Sequence, residues 1–242
     1  MIGLGRAFTA LVMGAAAVAS SARPAPPFPH EPLNVAAGCL VESIYFYDRC
    51  RERLGDDAWV RVLQWGAKED DEIVAGHAVA VFVFADRVWA WDANFGFLPL
   101  GLPGAQREDV ELVARPILAK YPRITPRDPV YRFDFLQAPA GAAVAAPPLE
   151  ADSVLRDASI VAARLGRHRP VNLVQFSYVE KGERRQSAAV VFLFHGRYCV
   201  YSPVRGTVPF LARGSVQNLR LVQEALRRMF PGAFAVEALG GG

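Results

Sequence analysis

Residues 76–96 read GHAVAVFVFADRVWAWDANFG, and no other stretch limits the fold as tightly. Two apolar runs rich in Val, Phe and Trp, separated by a short polar break, specify an antiparallel hairpin. His77 opens the first run and Asp92 stands near the end of the second. A similar run at 187–194 is followed by His195-Gly196, where glycine supplies a left-handed turn conformation, so the matching turn here is expected at Ala85-Asp86. A two-residue turn at that point pairs Phe84 with Arg87 and, counting outward, His77 with Asn94. Asp92 then becomes the diagonal cross-strand neighbour of His77 on the same face. A one-residue slip would turn Asp92 to the opposite face.

The segments around the hairpin read as one helix and several strands. Residues 36–54 carry Cys39, Ser43, Phe46, Cys50 and Leu54 on one helical face and end at Gly55, a natural stop. Residues 59–65 alternate and form a strand, 67–72 are expected as a polar loop, and 99–104 as a second loop. A helix is expected over 107–120, kinked or broken at Pro116, with a short strand at 131–136. Residues 137–149 (QAPAGAAVAAPPL) have the composition of a linker.

Beyond the linker the pattern recurs. Arg53-Leu54-Gly55 matches Arg164-Leu165-Gly166, Val60 matches Val171, and Gln64 matches Gln175. HAVAVFVF at 77–84 lies against SAAVVFLF at 187–194, Arg87 against Arg197, Pro122 against Pro231, and a helix at 218–229 answers 107–120. The expectation is a tandem duplication of roughly 110 residues, giving a domain at 34–136 and a second copy at 150–242. In that alignment Cys39 falls against Glu150 or its neighbours, His77 against Ser187 and Asp92 against Ser202. The apolar framework is thus kept while three reactive side chains are not.

With 242 residues, about half of them hydrophobic, the chain can build one large core or two smaller ones. Residues 1–22 have one positive residue, Arg6, an apolar run and small residues at Ser20 and Ala22, the pattern of a secretory signal, followed by a proline-rich leader over 23–33. Export to the periplasm or medium is therefore expected, with no stable membrane span. Without Arg6 the net charge of +3 becomes +2, which excludes a strongly basic nucleic-acid binder. The four histidines, His30, His77, His168 and His195, show no ligand spacing, and neither a metal nor any other cofactor is expected. Cys39 and Cys50 lie eleven residues apart on one helix, roughly 16 Å along its axis, too far for a disulfide. Cys50 and Cys199 read as buried thiols.

Cys39 is different because it sits in the first helical turn, where free N–H groups and the helix dipole favour a thiolate. If the hairpin packs on that helix, His77 takes the thiol proton, Asp92 holds the imidazole, and the Cys39 N–H helps to hold an oxyanion. Asn34 and Gln64 are candidates for the second oxyanion donor, and Asn94 for support of the histidine.

These residues resemble a family. Gly38-Cys39 at a helix start, a strand at 59–65, His77 opening the next strand and Trp91-Asp92 on the third are similar to the core of the transglutaminase-like branch of papain-like cysteine enzymes. The resemblance covers roughly 34–98. It implies an α+β fold with a helix packed on an antiparallel sheet, and a Cys39–His77–Asp92 triad that hydrolyses or transfers acyl groups at amide bonds. Peptides, proteins or cell-wall crosslinks are the substrates it implies. Two other readings stay open at this point: an NlpC-type cell-wall peptidase with Asn94 orienting the histidine, and a non-catalytic binding or scaffold protein with a vestigial triad.

Overall fold

Ala85 and Asp86 both take left-handed backbone angles, φ 50° and 55°, as a type I′ turn requires, and the ladder of the hairpin runs from Phe84–Arg87 to Ala80–Trp91. The register is thus the one counted from the sequence. His195 and Gly196 make the corresponding turn, with φ 47° and 72°. The computed structural model describes residues 26, 29–69, 72–121, 131–135, 151–210 and 215–239, so the secretory signal expected at 1–22 and the linker at 137–149 lie outside the described residues.

In chain order the elements are α1 (Cys39–Leu54), β1 (Val60–Glu69), β2 (Glu72–Phe84), β3 (Arg87–Asp92), β4 (Gly96–Pro103), α2 (Val110–Leu118), β5 (Tyr131–Phe135), α3 (Ala151–Leu165), β6 (Val171–Glu180), β7 (Glu183–Phe194), β8 (Arg197–Ser202), β9 (Gly206–Phe210), α4 (Leu219–Met229) and β10 (Phe234–Ala238). The fold is α+β. One sheet has the order β4-β3-β2-β1-β5, the other β9-β8-β7-β6-β10, and the strand pairings among the described residues are all antiparallel. No described helix is long and apolar enough to cross a membrane.

Three expectations are corrected. Residues 67–69 and 72, expected within a loop over 67–72, instead belong to β1 and β2, whose ladder continues past a bulge at Ala67/Lys68 to Glu69–Glu72. Polar side chains do not oppose this pairing, because the backbone ladder does not depend on them. Residues 99–104, also expected as a loop, are mostly β4. Pro99 and Pro103 are tolerated there because β4 is an edge strand, and a proline that cannot donate costs nothing on the open side. The first helix begins at Cys39 rather than residue 36, since Ala37 is left-handed at φ 48°. The helix expected over 107–120 spans Val110–Leu118 and continues through Pro116, and Asp109 caps its start by accepting from the Leu112 N–H at 3.0 Å.

Strand alternation sorts the chain into five layers. Ala78, Ala80 and Phe82 of β2 and Trp89 and Trp91 of β3 face α1 and α3, as do Val190, Phe192 and Tyr201 from the second sheet. The intervening Val79, Val81 and Ala90 face α2, and Ala189, Val191 and Val200 face α4. The central layer, α1 beside α3, is therefore covered on both sides, and one continuous core draws on both halves of the chain.

Candidate active site

His77 follows the parity of Val79, which places it on the α2 face beside Trp65, 5.0 Å away between ring centres. Cys39 opens α1 in the central layer. They meet because the β2–β3 ladder stops at Ala80–Trp91, three residues short of His77, and the chain turns at 92–95. Cys39 and His77 then line one cleft of about 330 Å³, together with Asn34, Val35, Ala37, Gly38, Glu42, Ala93 and Asn94.

The start of α1 is built around a close approach. Gly38 precedes the helix, and a Cβ on it would stand 2.6 Å from Val35 Cγ2 and 2.7 Å from the Val35 carbonyl oxygen. No side chain caps this end. The Cys39 N–H is therefore one of the first-turn donors left without an intrahelical partner. Glu42, one turn on, folds back so that its carboxylate accepts the N–H groups of Leu33 at 2.8 Å and Asn34 at 2.6 Å. Burial raises the Glu42 pKa, with those amide bonds working against the rise.

His77 Nε2 lies 3.2 Å from Asp92 Oδ2, and Asp92 is fully buried. The other Asp92 oxygen accepts the Asn94 N–H at 2.7 Å. A fourth residue completes the group. Tyr121 donates its hydroxyl to Asp92 Oδ2 at 2.6 Å, sits 2.7 Å from His77 Nε2, and receives Asn94 Nδ2 at 3.2 Å. With Nε2 committed to Asp92 and Tyr121, Nδ1 is the nitrogen left for Cys39, whose side chain is a hydrogen-bonding and charge partner of the imidazole.

The electrostatics follow from these contacts. Burial acts to lower the His77 pKa, but hydrogen bonds to Asp92 and Cys39 and the charges of both outweigh it and lift the imidazole to about 9. Burial likewise acts to raise Asp92, yet His77, Tyr121 and the Asn94 amide hold it below the usual carboxylate range. Burial and the Asp92 carboxylate push the Tyr121 phenol up, so it remains a donor at neutral pH. An imidazole held at Nε2 by a carboxylate and a phenol can take a proton from a thiol at its other nitrogen, and the imidazolium so formed can give it up again.

Of the residues named from the sequence, Cys39, His77, Asp92, Asn34 and Asn94 come together. Asp92, not Asn94, contacts the imidazole, and Asn94 acts through its amide and through Tyr121. Gln64, on β1 opposite Ala78, is not among the residues lining the cleft. Cys50 and Cys199 are free and buried, and burial drives both thiols up to about 12. Tyr121 was missed, although it precedes Pro122 as Phe230 precedes Pro231, so that the two halves differ there by one hydroxyl. Compared with known proteins, the chain matches no family model, no curated protein and no solved structure.

Proposed function

We propose that this protein is an exported cysteine hydrolase or acyltransferase of the transglutaminase-like kind, acting on amide bonds of peptides or cell-wall crosslinks through a thioester. The observation that carries this reading is the position of the His77 ring, with Asp92 and Tyr121 on Nε2 and Cys39 as its other partner. Cys39 gives its proton to His77, and the thiolate attacks the acyl carbon. A C–S bond forms while the carbonyl electrons move to oxygen, where the Cys39 N–H receives them. Collapse breaks the C–N bond, the imidazolium protonates the departing amine, and a thioester remains. Water or a second amine then attacks, with His77 accepting its proton and the sulfur leaving. Of the two side chains proposed as second oxyanion donor, Asn34 is the one that lines the cleft.

The tandem-duplication reading is supported by ladder positions. Ser187 pairs with Phe176 as His77 pairs with Trp65, and Ser202 pairs with Gly206 as Asp92 pairs with Gly96. The second half then keeps the framework without the triad.

Alkylation with iodoacetamide, followed by peptide mass analysis, tests the reading with internal controls. Cys39 is expected to label far faster than Cys50 and Cys199, and to slow in H77A. Equal, slow labelling of all three thiols would sink the proposal. On a murein peptide, D92A is expected to abolish hydrolysis and N94A to reduce it, whereas the reverse ranking would favour the NlpC-type arrangement.

A further inference from the structure

The segment that leads into Cys39 is held by side chains from the other half of the chain. Asp157 on α3 accepts the Ala36 N–H at 2.9 Å, and Tyr201 on β8 donates its hydroxyl to the Ala36 carbonyl at 2.7 Å. Both polar groups of one residue, three positions before Cys39, are thus bonded across sequence separations of 121 and 165. Asp157 is 4 % exposed and Tyr201 fully buried. Arg156 donates to the other Asp157 oxygen at 3.1 Å. Burial, with the charges of Asp157 and Glu42, raises the Tyr201 phenol, which keeps it a donor. Gly206, which opens β9, packs against the same segment: a Cβ on it would lie 3.4 Å from the Ala37 carbonyl oxygen.

The segment needs holding. Asn34 and Ala37 are left-handed, with φ 55° and 48°, a conformation that costs a non-glycine residue about 1–2 kcal/mol and persists only where the surroundings impose it. Glu42 grips the Leu33 and Asn34 amides on one side of this bend, and Asp157 with Tyr201 grips Ala36 on the other.

The corresponding positions of the first half show that the framework does not require polar groups there. Phe46 stands eight residues before the end of α1, as Asp157 stands eight before the end of α3. Trp91 pairs with Ala80 on β2 as Tyr201 pairs with Val190 on β7. Phe46 and Trp91 stack as an apolar pair, ring centres 5.2 Å apart and planes within 3°. A buried carboxylate and phenol in place of such a stack is unfavourable unless both are bonded, and the bond each makes to another element is to Ala36.

We propose that Asp157 and Tyr201 are positioning residues of the Cys39 site, so that the second half of the chain is a working part of that site. The inference rests on the reading of Cys39 as the nucleophile. Without the clip, Ala37 relaxes towards a right-handed conformation, and the Cys39 sulfur and N–H swing away from His77.

The experiment uses the full chain as wild type, D157A, D157N, Y201F and H77A, each held well below its own melting temperature. The rate of Cys39 alkylation is followed against pH, with Cys50 and Cys199 as reporters of core opening. D157A and Y201F are expected to lower the Cys39 rate about tenfold across the profile while the two buried thiols stay unlabelled. D157N, which keeps an acceptor oxygen, is expected to recover most of the loss. Should D157A fail to fold, Y201F, which removes one oxygen only, decides. Wild-type rates in D157A and Y201F would overturn the positioning role and leave the nucleophile reading standing, as would a loss at Cys39 matched by a rise at Cys50 and Cys199, which is general loosening. A wild-type Cys39 that labels no faster than in H77A would overturn both.

Discussion

At the scale of single residues, the Tyr121 hydroxyl and two partly buried histidines, His77 and His30, carry the sharpest consequences. Tyr121→Phe removes a donor to a charged carboxylate, an interaction worth about 1.5–3 kcal/mol. Turnover is expected to fall roughly ten- to a hundredfold with KM little changed, because the phenol holds His77 and Asp92 rather than substrate; a rise in KM alone would place Tyr121 on the substrate side. His77 has a folded pKa of about 9 against 6.5 for the free side chain. Its contribution to stability is therefore complete below about pH 6.5 and is lost as pH rises through 9. The melting temperature of the wild type should decline across that window, and H77Q should flatten the decline. His30 has the opposite sign. It sits in a box of Tyr45, Phe46 and Trp91, and burial, with the charge of Arg49 adding, lowers its pKa to about 4. The folded state then loses stability as pH falls below 6.5. His30→Phe is expected to raise the melting temperature at pH 5 relative to pH 7, and an unchanged pH response would show that the ring is not held neutral.

At the scale of elements, two turns can be tested by backbone chemistry alone. Ala85 and Asp86 occupy left-handed positions that Asn and Gly adopt more readily. Replacing the pair with Asn-Gly should stabilise the hairpin by about 1 kcal/mol, read as a higher urea midpoint with the same m-value. Gly38 is constrained by space instead. Its φ of −91° is ordinary, but an added methyl would meet Val35 at 2.6 Å. Gly38→Ala should cost about 1–3 kcal/mol and slow Cys39 alkylation, since the bend that aims the helix start must move; an unaffected alkylation rate would mean that the bend is free to adjust.

At the scale of the whole molecule, the decisive feature is the shared central layer. α1 and α3 lie between the two sheets, and Arg169 pairs with Asp48 from half to half. Residues 34–136 expressed alone would expose the face of α1 and the first sheet that α3 and the second sheet cover. They are expected to be insoluble or molten, with no dispersed methyl signals in NMR and no rapid Cys39 alkylation. A well-folded, reactive 34–136 fragment would show that the halves are independent.

The hairpin, its register and the common face of His77 and Asp92 were legible in the residues, because side-chain alternation along a strand and the demands of a two-residue turn are local. So was Cys39 at a helix start. The strand character of 67–69, 72 and 99–103 was not, because a backbone ladder does not depend on polar side chains and prolines are tolerated at a sheet edge, and only the assembled sheet shows where that edge is. Tyr121 lies 44 residues from His77, and Asp157 and Tyr201 lie 121 and 165 from Ala36. Periodicity within one element carries no information on contacts at that range. The sequence by itself determined which side chains can do chemistry and on which strand face they stand. Tertiary structure alone decided which of them meet, because the cleft exists only where the start of α1 and the segment before it meet His77 on β2 and the turn that follows β3.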